Sequence, residues 1–277
     1  MAREDPPPRP LQARPMSGSP MRKDESAKMT LLQVDGLTKH FGGLAAVHDV
    51  GFHVDTGEIV SLIGPNGAGK TTIFNLVSGV HRPNSGDIRL GGRSIAGLRP
   101  FDICRKGVGR TFQIMQPFPK MTVLENVVTS ALFGRTPKVS MKTAEGEAVE
   151  LCRLVGLGDK LKAYPKSLTV PDQKRIEIAR ALAVRPKVLL LDEVMSGLTP
   201  TETDEAIRLV LKLRETGATI LLIEHVMKVV MGISDRVVVL HHGEKISEGP
   251  PSRVADDPKV IEAYLGTLDG EGGDTAC

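Results

Sequence analysis

The stretch GPNGAGKTT, residues 64–72, decides the fold, because it links the apolar run EIVSLI to a helical pattern. Its G-x-x-x-x-G-K-T spacing is that of a phosphate-binding loop, whose glycines let backbone N–H groups turn inward onto phosphate oxygens. The positive end of the following helix strengthens this attraction. We expect Lys70 to reach the β- and γ-phosphates and Thr71 to offer a hydroxyl to Mg²⁺. The predicted nucleotide contacts in this loop are Gly64, Pro65, Asn66, Gly67, Ala68, Gly69, Lys70, Thr71 and Thr72.

Two carboxylates follow a second buried strand, VLLLDE at residues 188–193. A strand that ends in Asp-Glu is by itself typical of a solvated turn. In a parallel sheet, however, ligands bind at the carboxyl ends of the strands, where a phosphate loop also lies. We therefore predict that Asp192 holds Mg²⁺, through water, and that Glu193 acts as the general base on the attacking water.

Three further residues are weaker candidates. His225 ends the next apolar run, ATILLIE, and would lie beside the strand that carries Asp192 and Glu193. A lone histidine is more often structural, but at this position it could hydrogen-bond the γ-phosphate or orient the water. Gln113 lies between the β-rich and helical sections, and composition alone says little about it. Phe41, one of nine aromatic residues, is by composition more often a core residue than a platform for adenine.

The pattern of elements predicts an α/β fold with a mostly parallel sheet. LLQVDGL, AAVHDVGFHV and IRLGG read as an antiparallel sheet, and residues 122–183 read as helical. EIVSLI, VLLLDE, ATILLIEH and RVVVLHHG read as buried strands of the main sheet. We expect a helix from near Thr201, capped by Thr201 with Asp204 and stopped by Gly217.

Composition bounds the class of protein. The 277 residues are 40% hydrophobic and 25% charged, with a net charge of +3, which is typical of a globular protein and gives no reason to expect nucleic acid as a partner. Three cysteines without CxxC spacing suit a reducing compartment. We expect no membrane span, no signal peptide, a disordered tail at 1–28 and a loose tail at 267–277, with Met29 as an alternative start.

Taken together, these motifs resemble the ATP-binding subunit of an ABC transporter over roughly residues 30–266. The resemblance adds a Q-loop at Gln113, a signature region before QKRIEIARAL, a D-loop SGLTP and a switch histidine at His225. It implies a P-loop NTPase with a RecA-like parallel core, an antiparallel β subdomain and a helical subdomain at about 118–183, within a domain at 29–266. It also implies ATP and Mg²⁺ as cofactors, adenine stacking on Phe41, and contact of Gln113 with Mg²⁺ and the membrane partner.

The finer resemblance is to subunits that drive uptake of branched-chain amino acids, carried by KHFGGLAAV, GVGRTFQIMQPFPKMTVLENV and DPKVIEAYLGT. It implies two permease subunits, a second ATP-binding subunit that is the same or different, an indirect solute-binding protein, and the cytoplasmic face of the inner membrane. The permease groove would involve Phe118, Met121 and Leu124, which are equally consistent with core positions. Urea import and lipopolysaccharide export share part of the pattern. A soluble ABC ATPase acting on DNA or ribosomes and a P-loop kinase or G protein fit less well.

The signature LSGGQ of this family aligns with LTVPD, residues 168–172. Thr169 is suited to be the N-cap of the following helix, and the Asp172 carboxylate could accept from the Thr169 N–H to complete a capping box. Pro171 would lie in the first turn. Pro171 removes an N–H that should meet the γ-phosphate of a facing subunit, and Asp172 adds negative charge there. We therefore hypothesise that Thr169 contacts nucleotide in a weakened site, and that a second, different ATPase subunit supplies a better signature. A fully functional family variant is the alternative.

Overall fold

A computed structural model describes residues 29–265, and within them two β-sheets form the framework. The predicted tails, 1–28 and 267–277, lie outside the described residues. Within 29–265, every helix is too short or too polar to cross a bilayer.

The smaller sheet is antiparallel, as predicted from the short strands that begin the chain. Its order is β2-β1-β4-β5, with bounds β1 (Thr30–Phe41), β2 (Leu44–Asp55), β4 (Ser85–Leu90) and β5 (Arg93–Ser94). Two-residue turns such as Gly42-Gly43 join strands of alternating burial, the pattern of a sheet with one packed face. The turn between β1 and β2 places Phe41 opposite Leu44.

The larger sheet has the order β10-β9-β3-β8-β7-β6 within the described residues. Its strands are β3 (Ile59–Ile63), β6 (Val108–Arg110), β7 (Val188–Asp192), β8 (Thr219–Ile223), β9 (Arg236–His241) and β10 (Glu244–Gly249). All neighbours pair in parallel except β10, which runs antiparallel to β9 at one edge. Every residue of β3, β7 and β8 is buried, because helices or the smaller sheet cover both faces. The predicted mostly parallel core is confirmed.

Nine α-helices lie in residues 29–265, and a short 3₁₀ turn spans Pro165–Ser167. They are α1 (Lys70–Val77), α2 (Pro100–Lys106), α3 (Val123–Phe133), α4 (Met141–Leu154), α5 (Val170–Ala183), α6 (Pro200–Glu215), α7 (Met227–Ile233), α8 (Pro251–Ala255) and α9 (Pro258–Leu265). The described section 122–183 contains helices and no strand, as the sequence pattern predicts.

The two faces of the larger sheet pack into different cores. On β7, Val188 and Leu190 join α1 and the smaller sheet, whereas Leu189 and Leu191 join α3, α4 and α5. This split follows from the two-residue period of a strand, which sends successive side chains to opposite faces. The phosphate loop therefore lies on the face shared with the smaller sheet, and the helical section lies on the other.

The start of α6 differs from the prediction. Thr199, not Thr201, is the N-cap: its Oγ1 accepts from Glu202 N at 3.4 Å, and Glu202 Oε2 accepts from Thr199 N at 2.8 Å. The helix begins earlier because Pro200 has no N–H to lose and already holds a helical φ at the first position. Asp204 instead pairs with Lys228 at 3.3 Å. Gly217, at φ 87°, follows the end of the helix as predicted.

Replacing Thr199 by Ala should lower the free energy of unfolding by about 1 kcal/mol, because it removes the hydroxyl that accepts from Glu202 N and donates to Glu202 Oε2. Thr201→Ala is the matched control, since Thr201 is exposed and caps nothing, and it should stay within about 0.5 kcal/mol of the parent. Urea unfolding followed by circular dichroism measures both. An equal loss in the two variants would contradict the assignment of the cap.

Candidate nucleotide-binding site

The phosphate loop connects β3 to α1 and can be built only with glycine at its two ends. A Cβ on Gly64 would lie 2.1 Å from Leu240 O, and one on Gly69 would lie 2.5 Å from Ala46 O. Both glycines also have positive φ, 147° and 100°, where other residues are strained. The loop borders a cavity of about 400 Å³, and the predicted residues that line it are Asn66, Gly67, Ala68, Gly69, Lys70, Thr71, Thr72, Gln113, Glu193 and His225.

Gly64 and Pro65 act on this site through Lys70. The Lys70 ammonium donates to Gly64 O at 2.7 Å and to Pro65 O at 2.8 Å, so the loop carbonyls hold it at the base of the cavity. Burial lowers the pKa of Lys70, and the nearby Glu193 carboxylate partly opposes that shift. A buried ammonium whose only partners are carbonyl oxygens is stabilised by a negative charge beside it. A phosphate group in the cavity would supply that charge.

Gln113, Glu193 and His225 meet at the ends of three adjacent strands. Glu193 follows β7, and its carboxylate accepts from Gln113 Nε2 at 2.8 Å and lies 2.6 Å from His225 Nε2. Gln113 comes after β6 and His225 after β8, the two neighbours of β7 in the sheet. Two polar partners thus orient one carboxylate toward the phosphate loop, as a general base requires. The structure brings these three predicted residues together.

Glu193 has a backbone conformation that few residues adopt. Its φ is 50°, in the left-handed region. This backbone conformation costs a residue other than glycine on the order of 1 kcal/mol. Lys174 of α5 donates to Glu193 O at 3.4 Å and also to Ser196 O, and Glu193 N donates to Ile223 O at 3.0 Å. These contacts hold the strained turn in place.

Asp192 forms a buried ion pair with Arg110 of β6. Its Oδ2 lies 3.0 Å from Arg110 Nη2, with side chains 1% and 7% exposed. Burial raises the pKa of Asp192, and the guanidinium opposes that rise. Arg110 Nη1 also donates to Asn75 Oδ1 and Ser78 Oγ at 2.8 and 2.7 Å, which ties α1 to β7.

The residues predicted to hold Mg²⁺ fit such an ion. Thr71 and Gln113 line the cavity, and Asp192 Oδ1 is buried without a hydrogen-bond partner at the neighbouring strand end. Within the described residues no cluster of three His, Cys, Asp or Glu side chains forms a metal cage. Mg²⁺ takes one or two protein oxygens together with waters and substrate phosphates, and Thr71, Gln113 and Asp192 offer oxygens of this kind.

Phe41 and Thr169 lie apart from the cavity. The Phe41 ring is exposed and packs edge-on against His81 with centroids 5.1 Å apart, while its strand partner Leu44 lines the cavity. Phe41 is therefore near the cavity mouth, and its contact with adenine stays a prediction. Thr169 lies at the N-terminus of α5, and its contact with the nucleotide of a facing subunit also stays a prediction.

The signature helix α5 is capped differently from the prediction. Thr169 Oγ1 accepts from Asp172 N at 3.4 Å, so the predicted N-cap is confirmed. Asp172 does not answer it: its carboxylate is buried and binds Lys160 Nζ at 2.7 Å, with Arg175 at 3.6 Å. The predicted capping box is therefore wrong. Lys160 and Arg175 offset the charge of Asp172 within this chain, and its effect on the phosphate of a facing subunit stays a prediction. Pro171 lies in the first turn, as predicted.

The predicted permease groove contains exposed apolar side chains. Phe118 and Met121 are 41% and 36% exposed, so the alternative of core positions is wrong for them. Leu124 packs, partly buried, against the helical core. Asn126 is fully buried and holds this segment, because its side chain bonds Phe118 N and O and Met121 O at 2.7, 3.2 and 3.2 Å.

Sequence reasoning missed several residues of the site. Arg110 and Lys174 make the contacts described above, and Glu224 accepts from Met195 N at 2.9 Å, which holds the segment after Glu193. Burial raises the pKa of Glu224. The rest of the cavity lining is Leu44, Ala45, Ala46 and His242. The sequence patterns around these residues do not indicate a contact with this site, and only the folded chain shows their positions.

Arg110→Met should lower the free energy of unfolding by about 3–5 kcal/mol, because it leaves the buried Asp192 carboxylate without its partner. Without the guanidinium the pKa of folded Asp192 rises further above that of the unfolded chain. The deficit should therefore shrink as pH falls from 8 to 5, since protonation then removes the buried charge. Urea unfolding in EDTA without nucleotide measures this.

The control is Arg99→Met, which breaks an exposed ion pair with Asp102 and should cost less than about 1 kcal/mol at either pH. A small, pH-independent loss for Arg110→Met would show that the buried pair is not what stabilises this part of the fold.

Known proteins are similar to this chain in sequence and in fold. A family model described as "ABC transporter" matches residues 47–196, and one described as "Branched-chain amino acid ATP-binding cassette transporter" matches 244–269. The chain is 44% identical to the high-affinity branched-chain amino acid transport ATP-binding protein BraF of Pseudomonas aeruginosa. It is 43% identical to the corresponding LivG of Escherichia coli. Each comparison covers 85% of this chain and 98% of the relative.

Solved structures agree. A nucleotide-free ATP-binding cassette from an ABC transporter superposes with a TM-score of 0.78 at 29% identity, covering 86% of this chain and 100% of that one. Another cassette, in its ADP conformation, gives 0.77 at 30% identity, covering 86% and 99%. With its phosphate loop, Glu193 carboxylate and switch histidine in one cavity, this chain belongs to the ABC transporter family as an ATP-binding subunit.

Proposed function

We propose that this chain hydrolyses ATP as the energy-coupling subunit of an ABC importer for branched-chain or other hydrophobic amino acids. The observation that carries the hydrolytic role is the Glu193 carboxylate, held by Gln113 and His225 beside the phosphate loop. The solute class is supported by the similarity to BraF and LivG and by the match at residues 244–269. Urea import and lipopolysaccharide export are the alternatives within the family.

Each catalytic group has a task that its position supports. Glu193 accepts the proton of a water as that water attacks the γ-phosphorus, and ADP and phosphate are released. Gln113 and His225 orient the carboxylate, while Lys70 and the loop N–H groups neutralise phosphate charge. Thr71, Gln113 and Asp192 would hold Mg²⁺, which supplies further neutralisation of the phosphates when bound.

A permease is the partner that the exposed segment after β6 suits. Its docking patch consists of Phe112, Ile114, Phe118 and Met121, all exposed apolar side chains within ten residues of Gln113. Exposed apolar clusters of this kind mark interaction sites. Contact there would reach Glu193 through the Gln113 hydrogen bond, which gives the permease a direct route to the catalytic carboxylate.

The remaining partners follow from the family. Two integral-membrane permeases would bind one ATPase pair at the cytoplasmic face of the inner membrane, and a solute-binding protein would deliver the amino acid from the other side. Nothing in this proposal requires nucleic acid. In the ATPase pair, the signature of each subunit would face the phosphate loop of the other.

The signature of this chain would form the weaker of the two composite sites. Pro171 supplies no N–H, and the Asp172 N–H is already bonded to Thr169, which leaves Val170 as the only unbonded donor of that first turn in the described chain. A helix N-terminus binds anions through these donors, so fewer donors weaken the site. A different ATPase subunit with a full signature would complete the stronger site around Lys70 and Glu193.

The transporter test uses Glu193→Gln in the assembled complex with both permeases, the second ATPase and the solute-binding protein. Losing the base should reduce ATP hydrolysis by at least about 100-fold while ATP still binds, since Lys70 and the loop are unchanged. Leucine should stimulate hydrolysis by the parent complex, and urea should not. Asp204→Asn, an exposed change, is the control. Stimulation by urea but not leucine would reassign the solute, and full activity of Glu193→Gln would reject the catalytic role.

The asymmetry of the pair is tested by Pro171→Gly in the same complex. Restoring an N–H should leave ATP hydrolysis within about threefold of the parent or raise it, because the stronger site does not use this signature. Thr201→Gly, in the exposed first turn of α6, controls for a new helical glycine. If Pro171→Gly abolishes hydrolysis while Thr201→Gly does not, this signature is essential and the asymmetric scheme fails.

A further inference from the structure

A second cavity, of about 220 Å³, is lined by five cations and by no acidic side chain. This arginine pocket consists of Arg105, Lys106, Arg135, Arg185 and Lys187. It opens at the amino ends of β6 and β7, whereas the phosphate loop lies at their carboxyl ends. From Lys187 to Asp192 is roughly 17 Å of extended strand, so the two sites are separate. The ATPase role makes no use of these five residues.

Arg135 carries the strongest indication that the arginine pocket binds a ligand. Its side chain is 6% exposed, with Nη2 2.6 Å from Glu147 Oε2 and Nε donating to Ala131 O at 3.0 Å. The contact of Nη2 with Glu147 is an ion pair without hydrogen-bond geometry, so Nη1 and Nη2 are both buried without a hydrogen-bond partner in the described chain. A buried donor without an acceptor is energetically unfavourable, and more so when the group is charged. We therefore expect a ligand in the pocket to supply the acceptor.

The positive charge of the pocket exceeds what its surroundings neutralise. Glu147 pairs with both Arg135 and Arg185, at 2.6 and 2.7 Å. Helices α2, α3 and α5 all end at the pocket, and each carboxyl end contributes roughly half a negative charge. These groups together offset about half of the five positive charges. Lys106 and Lys187 form no ion pair with any residue in the described range.

Two features of the backbone fix the positions of Arg185 and Lys187 at the pocket. Arg185 has φ 52°, a strained conformation for a residue other than glycine, and such strain is concentrated at binding sites. Gly107 leaves no room for a Cβ, because the Lys187 chain would lie 2.8 Å from it, and this close packing holds Lys187 at the pocket.

We propose that the arginine pocket binds a phosphate group, as an effector site separate from the site of ATP hydrolysis. Guanidinium and ammonium groups together are the side chains that recognise phosphate best. The volume is below the roughly 300–1,000 Å³ of sites that enclose drug-sized molecules, so the pocket takes the phosphate end of a ligand and leaves the rest outside. That ligand is either a small soluble phosphate or diphosphate, or the headgroup of an anionic lipid.

The test measures pyrophosphate binding by calorimetry in a Lys70→Ala background, which disables the phosphate loop. Lys106→Gln with Lys187→Gln should weaken binding at least about tenfold, since two charged contacts are lost. Both lysines are exposed, so the fold should persist, and a melting curve checks it. Lys142→Gln with Lys259→Gln removes the same charge from exposed positions outside the pocket and should change binding less than about twofold.

Vesicles distinguish the two sources of phosphate. Sedimentation with phosphatidylglycerol vesicles, and with phosphatidylcholine vesicles as the neutral control, is run on the same variants. Lysine-dependent binding of pyrophosphate supports a soluble ligand, and lysine-dependent binding of phosphatidylglycerol vesicles alone supports a headgroup. If the Lys106 and Lys187 pair affects neither more than the Lys142 and Lys259 pair, the proposal is overturned. The outcome is independent of the ATPase role, because no arm measures hydrolysis.

Discussion

Parallel pairing of β6, β7 and β8 is the constraint on which the catalytic site depends. Arg110 is aligned with Leu190 and Asp192 with Ile223, so the three strands end at one edge of the sheet. Gln113, Glu193 and His225 follow these strand ends and therefore lie next to one another. A shift of one residue would send alternate side chains to the opposite face and separate these groups. Thr111 secures the register, because its Oγ1 accepts from Asp192 N at 3.0 Å and its N–H donates to Leu190 O.

The Arg110–Asp192 ion pair links the end of β7, which precedes Glu193, to α1, the helix that follows the phosphate loop. The guanidinium is buried between α1 and β7, where its Nη1 donates to Asn75 and Ser78 and its Nη2 donates to Asp192. The end of α1 and the tip of β7 therefore cannot move independently without leaving a buried charge unpaired, which is strongly unfavourable. The relative positions of the groups proposed to hold Mg²⁺ and phosphate are therefore set by this ion pair.

The parts of the site that sequence could predict are those whose chemistry depends on local spacing. GPNGAGKTT works through adjacent N–H groups, and VLLLDE through one strand end, so both are readable from consecutive letters. Arg110 contacts Asp192 across 82 positions and Lys160 contacts Asp172 across 12, and no periodicity encodes either pairing. The Thr201 cap was wrong for a local reason: Pro200 favours the first helical position, which moves the cap to Thr199.

Two helices run from the proposed docking patch and the signature to the arginine pocket. α3 begins beside the docking patch and ends just before Arg135, and α5 begins at the signature and ends just before Arg185. At 1.5 Å per residue, α5 spans roughly 21 Å as one rigid rod. A phosphate bound between these arginines and the lysines that precede β6 and β7 would join the helical section to the sheet at the end remote from ATP. If the docking patch or the signature moved relative to Glu193, the helical section would then have to rotate about the bound phosphate.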